Sequence, residues 1–330
     1  MANAAVLGTG FHVPERIVTN DDLARLMDTS DAWIRERSGI AQRRWVEPGT
    51  SGAALALPAA QMALADAGLP ASAIDLIVFA TLNPDYAFPG NGVLLQQLLG
   101  IDTVGAMDIR NQCTGFVYGV AAAHGFIAAG SARTVLVVGA EIHSTGLDVS
   151  SRGREVAVLF GDGAGAAIIG ATDEPRGVLA SVLHSQGEFA RELWCELPTA
   201  LVPTRWTADM AAQGRHFPRM NGRLVFQHAI RRFGEAIDEV LAKGGVTKDD
   251  VALFVPHQAN QRITEMFIRR LGVPAERVCA NIERYGNTTA ASIPIALAEA
   301  ARAGRVRRGD LVVLVAFGSG FTWGANLIRW

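Results

Sequence analysis

The chain has 330 residues, 49% of them hydrophobic and 19% charged, with a formal net charge of -2 at neutral pH. That length gives two ordinary domains or one large one with a substantial core, and the near-balanced charge excludes a general nucleic-acid surface. The three cysteines, Cys113, Cys195 and Cys279, lie far apart, which excludes a disulfide framework and fits a reducing, cytoplasmic compartment.

In chain order, Met1 to Val13 lacks the basic start and cleavage site of a signal peptide. The stretch ALADAGLPASAIDLIVFATLN, from Ala63, predicts a helix end, a glycine stop at Gly68, a short loop and a buried strand at 76–80. Residues 111–130, NQCTGFVYGVAAAHGFIAAG, contain no charged side chain. About 20 apolar residues can cross a bilayer. Here Asn111, Gln112, Thr114, His124 and the glycines from Gly115 onward argue instead for a core helix headed by Cys113. An apolar strand at 135–141 follows. The GDGAG loop, Gly161 to Gly165, lacks the remainder of a dinucleotide fingerprint and reads as close backbone packing.

The second half repeats this order. VLAKGGVTKDDVALFVPHQ, from Val240, gives a helix end, a stop at Gly245 and a strand at 252–255. RRLGV answers QQLLGI, NIERYGNTTAAS answers DIRNQCTGFVYG, ALAEAARAG answers AAAHGFIAAG, and LVVLVAFG (311–318) answers VLVVGAE. The expectation is two similar α/β halves, 1–172 and 173–330, with mixed, mostly parallel sheets covered on both faces. A shared site at their junction follows naturally.

Cys113 at the head of a small-residue helix is either a nucleophile, with unpaired backbone N–H groups lowering its pKa, or an inert buried thiol. His257, directly after the run LFVP, lies where parallel strands present active sites, or is a hydrogen-bonded loop residue. Asn287 serves a site or caps a helix. The only lysines, Lys243 and Lys248, sit in a polar loop, which sets a Schiff-base mechanism aside. No HExxH, P-loop or metal-ligand spacing occurs.

Together VLGTGFHVPERIVTNDDL, TSDAWIRERSGIAQRRW, YAFPG, NQCTGFVYG, FGDGAGAA, VPHQANQRI, RYGNTTAASIPIAL and AFGSGFTWG resemble the β-ketoacyl-acyl-carrier-protein synthase III family through nearly the whole chain. The resemblance implies a thiolase-like αβαβα fold, a homodimer, and no metal or cofactor, acyl-CoA being a substrate. It implies that Cys113 takes an acyl group from acyl-CoA, acetyl-CoA by default. Malonyl-acyl-carrier protein then loses carbon dioxide and attacks the thioester, with His257 and Asn287 holding the enolate oxygen. The backbone N–H groups of Cys113 and Ser319 would form the oxyanion hole. By the same resemblance Trp33, Arg37, Arg152, Phe226 and Asn260 would bind CoA, and Phe88 would close the acyl pocket of a second subunit. Trp33 also reads as a hydrophobic anchor at a helix end. Arg262, Arg269 and Arg270 share one side of a helix and would dock an acidic carrier protein, or simply form a solvated face.

Three features depart from the family pattern: Asn111 and Gln112 before the cysteine, a long segment at 188–220 holding LWCELP and a Trp-containing insert, and Ser319 in place of a glycine. The first two widen the range of starters to medium or long acyl-CoA. An acyltransferase, a head-to-head condensing enzyme and a non-catalytic partner subunit are the competing readings. Phe88, where head-to-head enzymes carry a glutamate, opposes the second, and the intact Cys, His and Asn oppose the third. Cys195 and Cys279 are expected to be inert.

Overall fold

The computed structural model describes residues 3–202 and 204–330. Two sheets carry the fold. The first holds β1 (Asn3–His12), β2 (Leu76–Ala80), β3 (Gly105–Ile109), β4 (Thr134–Glu141) and β5 (Gly163–Thr172), in the order β1-β5-β4-β2-β3. In the second, counting two short strands between, β7 (Leu193–Trp194) and β8 (Arg219–Met220), the order is β6-β11-β10-β9. These are β6 (Gly177–Ser185), β9 (Val251–Pro256), β10 (Leu311–Gly318) and β11 (Thr322–Arg329). A lone parallel bridge from Phe254 to Val278 stands where β3 stands in the first sheet. The repeat read from the sequence is therefore a repeat of sheet topology.

The sheets are mixed, but antiparallel pairing is the larger share among the described residues. β2 with β3, β2 with β4 and β9 with β10 are parallel; β1 with β5, β4 with β5, β10 with β11 and β11 with β6 are antiparallel. This corrects the expectation of mostly parallel sheets. Its cause is plain at the end of the chain, where only residues 319–321 separate β10 from β11, and a connection that short can join only antiparallel strands.

The helices complete five layers. α2 (Gly52–Ala67) covers the outer face of the first sheet, and α5 (Gly222–Gly244) with α6 (Gln261–Leu271) covers that of the second. Between the sheets lie α4 (Gly115–Ala128) and α7 (Ser292–Arg302). Alternation along β4 shows the division. Val135 and Val137 join the central core with Phe116, Val120 and Ile293, whereas Leu136 and Val138 face Ala59 and Ala63 of α2. Gly68 and Gly245 end α2 and α5 in the left-handed conformation, at φ 66° and 67°, as the glycine stops require. Two shorter helices, α1 (Asp31–Ser38) and α3 (Asn91–Leu98), lie at the edges.

The small residues of α4 have a packing reason. A Cβ at Gly115 would lie 2.8 Å from Ala80 Cβ, and one at Gly119 2.8 Å from Val137 Cγ1. The GDGAG loop is likewise a close-packing device, since a Cβ at Gly161 would meet Tyr285 O at 2.2 Å. Asp162, within it, is a buried hub that accepts the N–H groups of Val46, His143 and Ser144.

No helix among the described residues is long and apolar enough to cross a membrane.

Candidate active site

Three turns converge where the strands end. Cys113 sits in a short 3-10 turn, Gln112–Thr114, directly before α4. His257 follows β9, and its backbone N–H donates to Val315 O of β10 at 2.8 Å. Asn287 precedes a second 3-10 turn, Thr289–Ala291, which leads into α7. Gln112 and Thr289 open these two matching turns. They are the only non-glycine residues with positive φ among those described, at 45° and 48°. Such conformations cost energy for residues with a side chain and concentrate at functional sites.

The three side chains line one cavity of about 100 Å³, together with Phe226, Asn260 and Gly318. Each is buried: Cys113 7% exposed, His257 1% and Asn287 6%. Ser292 Oγ lies 2.6 Å from His257 Nδ1 and also receives the Gln258 N–H. A Ser292 hydroxyl that donates to Nδ1 leaves the ring proton on Nε2. Nε2 is buried without a hydrogen-bond partner among the described residues. Burial lowers the His257 pKa to about 3, so the ring is neutral. Asn287 Oδ1 accepts the Thr289 N–H at 2.9 Å, which leaves the amide NH2 as a donor.

The hairpin after β10 brings Ser319 to the thiol. A Cβ at Gly318 would lie 2.6 Å from Cys113 Cβ and 3.1 Å from Sγ, so glycine is what permits this approach. The backbone N–H groups of Cys113 and Ser319 both favour the charged sulfur, but burial and the nearby Glu141 push the thiol up to about 12. The expected lowering at the helix N-terminus is thus overturned: desolvation outweighs the donors, and the resting sulfur is a neutral thiol. Glu141 is itself buried and raised to about 8.

The central cavity opens to two others. On one side, sharing Phe226 and Asn260, is a groove of about 520 Å³ lined also by Trp33, Arg37, Arg223 and Arg262. The Trp33 ring has the Arg37 guanidinium 4.3 Å and the Arg154 guanidinium 5.0 Å from its centroid. Asn260 also caps α6, accepting the Arg262 N–H, and donates to Arg37 O at 2.8 Å. Arg152 stands apart from this groove. It pairs with Asp148 at 2.6 Å and lies against Gly214 of the 188–220 segment. Arg223 is a cation of the groove that the sequence reading missed; nothing in its local pattern distinguishes it from other helix-surface arginines.

On the other side, sharing Cys113, Phe160 and Leu193, is a chamber of about 330 Å³. The 188–220 segment supplies one wall through Leu193, Trp194, Cys195, Leu197, His216 and Pro218. Arg110, Gln112 and His143 are polar parts of the remaining wall. Ser319 Oγ hydrogen-bonds Leu193 O, tying this wall to the hairpin beside the thiol. Cys195 therefore borders the site, whereas Cys279 is buried behind α7, where burial pushes it up to about 11.

Phe88 is absent from the chamber of its own chain and is 82% exposed. Arg262, Arg269 and Arg270 are exposed on α6 and make no ion pair among the described residues. No group of His, Cys, Asp and Glu among the described residues is placed to hold a metal.

Residues 107–187 match the 3-oxoacyl-[acyl-carrier-protein] synthase III family and residues 241–330 its C-terminal family. The β-ketoacyl-[acyl-carrier-protein] synthase III of Roseiflexus castenholzii is 44% identical over 331 aligned residues, covering 100% of this chain and 99% of that protein. The chain belongs to the β-ketoacyl-acyl-carrier-protein synthase III family. Synthase III 1 of Bacillus anthracis is also 44% identical, over 99% of both chains. The crystal structure of the Aquifex aeolicus 3-oxoacyl-[acyl-carrier-protein] synthase III superposes with a TM-score of 0.90 at 41% identity, covering 99% of this chain and 100% of that one. Family members are condensing acyltransferases of thiolase-like fold, and the five layers described above are that fold.

Proposed function

We propose that the chain condenses an acyl-CoA starter with malonyl-acyl-carrier protein, through an acyl group held on Cys113, to start fatty-acid synthesis. One observation carries this reading: Cys113 lies where the central cavity meets the chamber, lining that cavity with His257 and Asn287 and beside two backbone N–H groups. In loading, Cys113 loses its S–H proton, its C–S bond forms, the C–S bond to CoA breaks, and the proton ends on the CoA sulfur. The N–H groups of Cys113 and Ser319 receive the tetrahedral oxyanion. Trp33, Arg37, Phe226 and Asn260 line the path for CoA. In condensation, the malonyl carboxylate leaves as carbon dioxide. His257 Nε2–H and the Asn287 NH2 hold the enolate oxygen while the carbanion attacks the acyl carbon and Cys113 departs. Fixed donors of this kind are worth about 3 kcal/mol each in well-studied sites.

The chamber favours a second specification. Its volume of about 330 Å³ equals roughly ten times a water's share of the liquid, far more than an acetyl group fills. Starters longer than acetyl are therefore the better substrates. Arg262, Arg269 and Arg270 offer the basic face for an acidic carrier protein. The exposed apolar residues Tyr86, Phe88, Val93 and Leu98 offer the contact surface of a cytoplasmic homodimer, in which Phe88 closes the partner's chamber.

Intact mass after exposure to single acyl-CoAs of graded length, with a Cys113→Ala control, tests this. A Cys113-dependent adduct that forms fastest with medium chains is expected. Fastest loading by acetyl-CoA would return the starter to acetyl. No adduct with any chain length would remove the acyl-thioester reading altogether.

A further inference from the structure

The reaction above leaves His143 without a role, although it is buried at 4% exposure beside the thiol, in the chamber wall. It follows β4. Its N–H donates to Asp162 Oδ1 at 2.7 Å, and its ring packs 4.6 Å from that of Phe160. Both ring nitrogens are engaged. Asn83 Nδ2 lies 3.3 Å from Nδ1, and Thr289 Oγ1 lies 2.7 Å from Nε2.

These contacts have a direction. Asn83 Nδ2 also donates to Ile142 O at 3.1 Å, which fixes the end of the amide that meets the ring. An NH2 group only donates, so Nδ1 accepts and the ring proton lies on Nε2. Nε2–H then donates to Thr289 Oγ1, and the threonine hydrogen is left for its other neighbour. That neighbour is the Cys113 sulfur: Thr289 and Cys113 line the same chamber wall, and the Thr289 hydroxyl is among the groups that favour the charged sulfur. Thr289 holds this position in a left-handed conformation, φ 48°, that a β-branched residue rarely adopts. Burial keeps His143 neutral, with its pKa lowered to about 3, so it does not act as a base.

We propose that Asn83, His143 and Thr289 form a fixed donor chain that ends on the Cys113 sulfur and stabilises its thiolate. His143 and Thr289 are positioning residues. The chain serves the sulfur in both half-reactions: when it attacks after losing its proton, and when it leaves with the electron pair of the broken acyl bond. The ionisable groups around it are Glu141 on β4, Asp162 before β5, Arg110 after β3, Cys195 and His216 in the 188–220 segment, and His257 on the opposite side of the thiol. Glu141 opposes the thiolate, which gives the donor chain something to offset.

The inference deepens the proposed function, but its test does not depend on acyl transfer. The rate of Cys113 carbamidomethylation by iodoacetamide, resolved by peptide mass spectrometry, is followed from pH 7 to 11 in the intact chain. Thr289→Val is expected to slow Cys113 about tenfold at pH 8 and to move its profile up by about one pH unit. Thr289→Ser, which keeps the hydroxyl, is expected to restore the native profile. His143→Leu, which leaves the hydroxyl without its donor, is expected to give a smaller shift in the same direction, and it decides the matter should Thr289→Val fail to fold. An unshifted profile in a folded Thr289→Val chain overturns the proposal. So does a Thr289→Ser chain that stays as slow as Thr289→Val, which would mean that these residues only shape access to the sulfur. Acyl-CoA loading measured in parallel keeps the two questions apart: a chain that never loads but shows the shift retains this inference and loses the proposed function.

Discussion

At the scale of single residues, the site separates two kinds of donor. In the proposed reaction the N–H groups of Cys113 and Ser319 would serve the acyl carbonyl, and His257 with Asn287 the malonyl carbonyl. His257→Ala is therefore expected to leave loading of Cys113 close to native and to slow malonyl decarboxylation by about 100-fold or more, read by release of carbon dioxide from malonyl-carrier protein. Equal loss in both half-reactions would contradict this division. Gly318→Ala is a different test. Its Cβ would lie 2.6 Å from Cys113 Cβ and 3.1 Å from the sulfur itself. Overpacking of this kind costs about 1–3 kcal/mol. A lower melting temperature together with slower loading is expected, whereas Gly187→Ala, with open space around it, should change neither.

At the scale of elements, the 188–220 segment makes a wall of the chamber, and Ser319 fastens it. The sequence showed both departures but not their connection. A serine in a glycine position keeps its backbone donor, and its bond to Leu193 O is a tertiary contact with no local signature. Ser319→Gly is expected to cost about 0.5–1.5 kcal/mol, the net worth of one hydrogen bond. It should also lower the preference for longer over shorter acyl-CoAs in competition loading, without a comparable loss of acetyl loading. What was legible was local. The glycine stops at Gly68 and Gly245, the strand before His257 and the helix after Cys113 all follow from runs of fewer than ten residues. The state of the thiol was not legible. A helix N-terminus can be read from a sequence, but the burial that outweighs it depends on which strands close over the sulfur. The place of Arg152 was lost for a similar reason, since Asp148 binds its guanidinium.

At the scale of the whole molecule, buried ionisable groups set a pH dependence. His143 and His257 have ordinary values of 6.5 lowered to about 3 by burial. The unfolded chain takes up their protons first, so stability falls as pH drops below 6.5 toward 3. Glu141 is raised from 4.5 to about 8. The unfolded chain ionises it first, so stability falls as pH rises from 4.5 to 8. The buried histidines, with His12 and His124 lowered in the same direction, outweigh Glu141 between 4.5 and 6.5, and above that the raised Glu141 turns the slope down. Thermal melts across pH 4 to 9 are expected to peak near pH 6.5, with the acid limb shallower in His143→Leu. The repeat that the sequence displayed is what brings these groups together, since matching turns from the two halves meet at the centre.

The central layer takes one helix from each half, α4 and α7, and this shapes the birth of the protein. The inner face of the first sheet is covered partly by Ile293, Ala296 and Leu297, which leave the ribosome more than a hundred residues after β5 is complete. At a synthesis rate of about 5–20 residues per second that is a delay on the order of ten seconds. Throughout it the nascent first half presents Val135, Val137 and Phe116 to water or to a chaperone. A truncated product ending near residue 172 is thus an aggregating species, and the last quarter of the chain governs when the first half becomes safe from it.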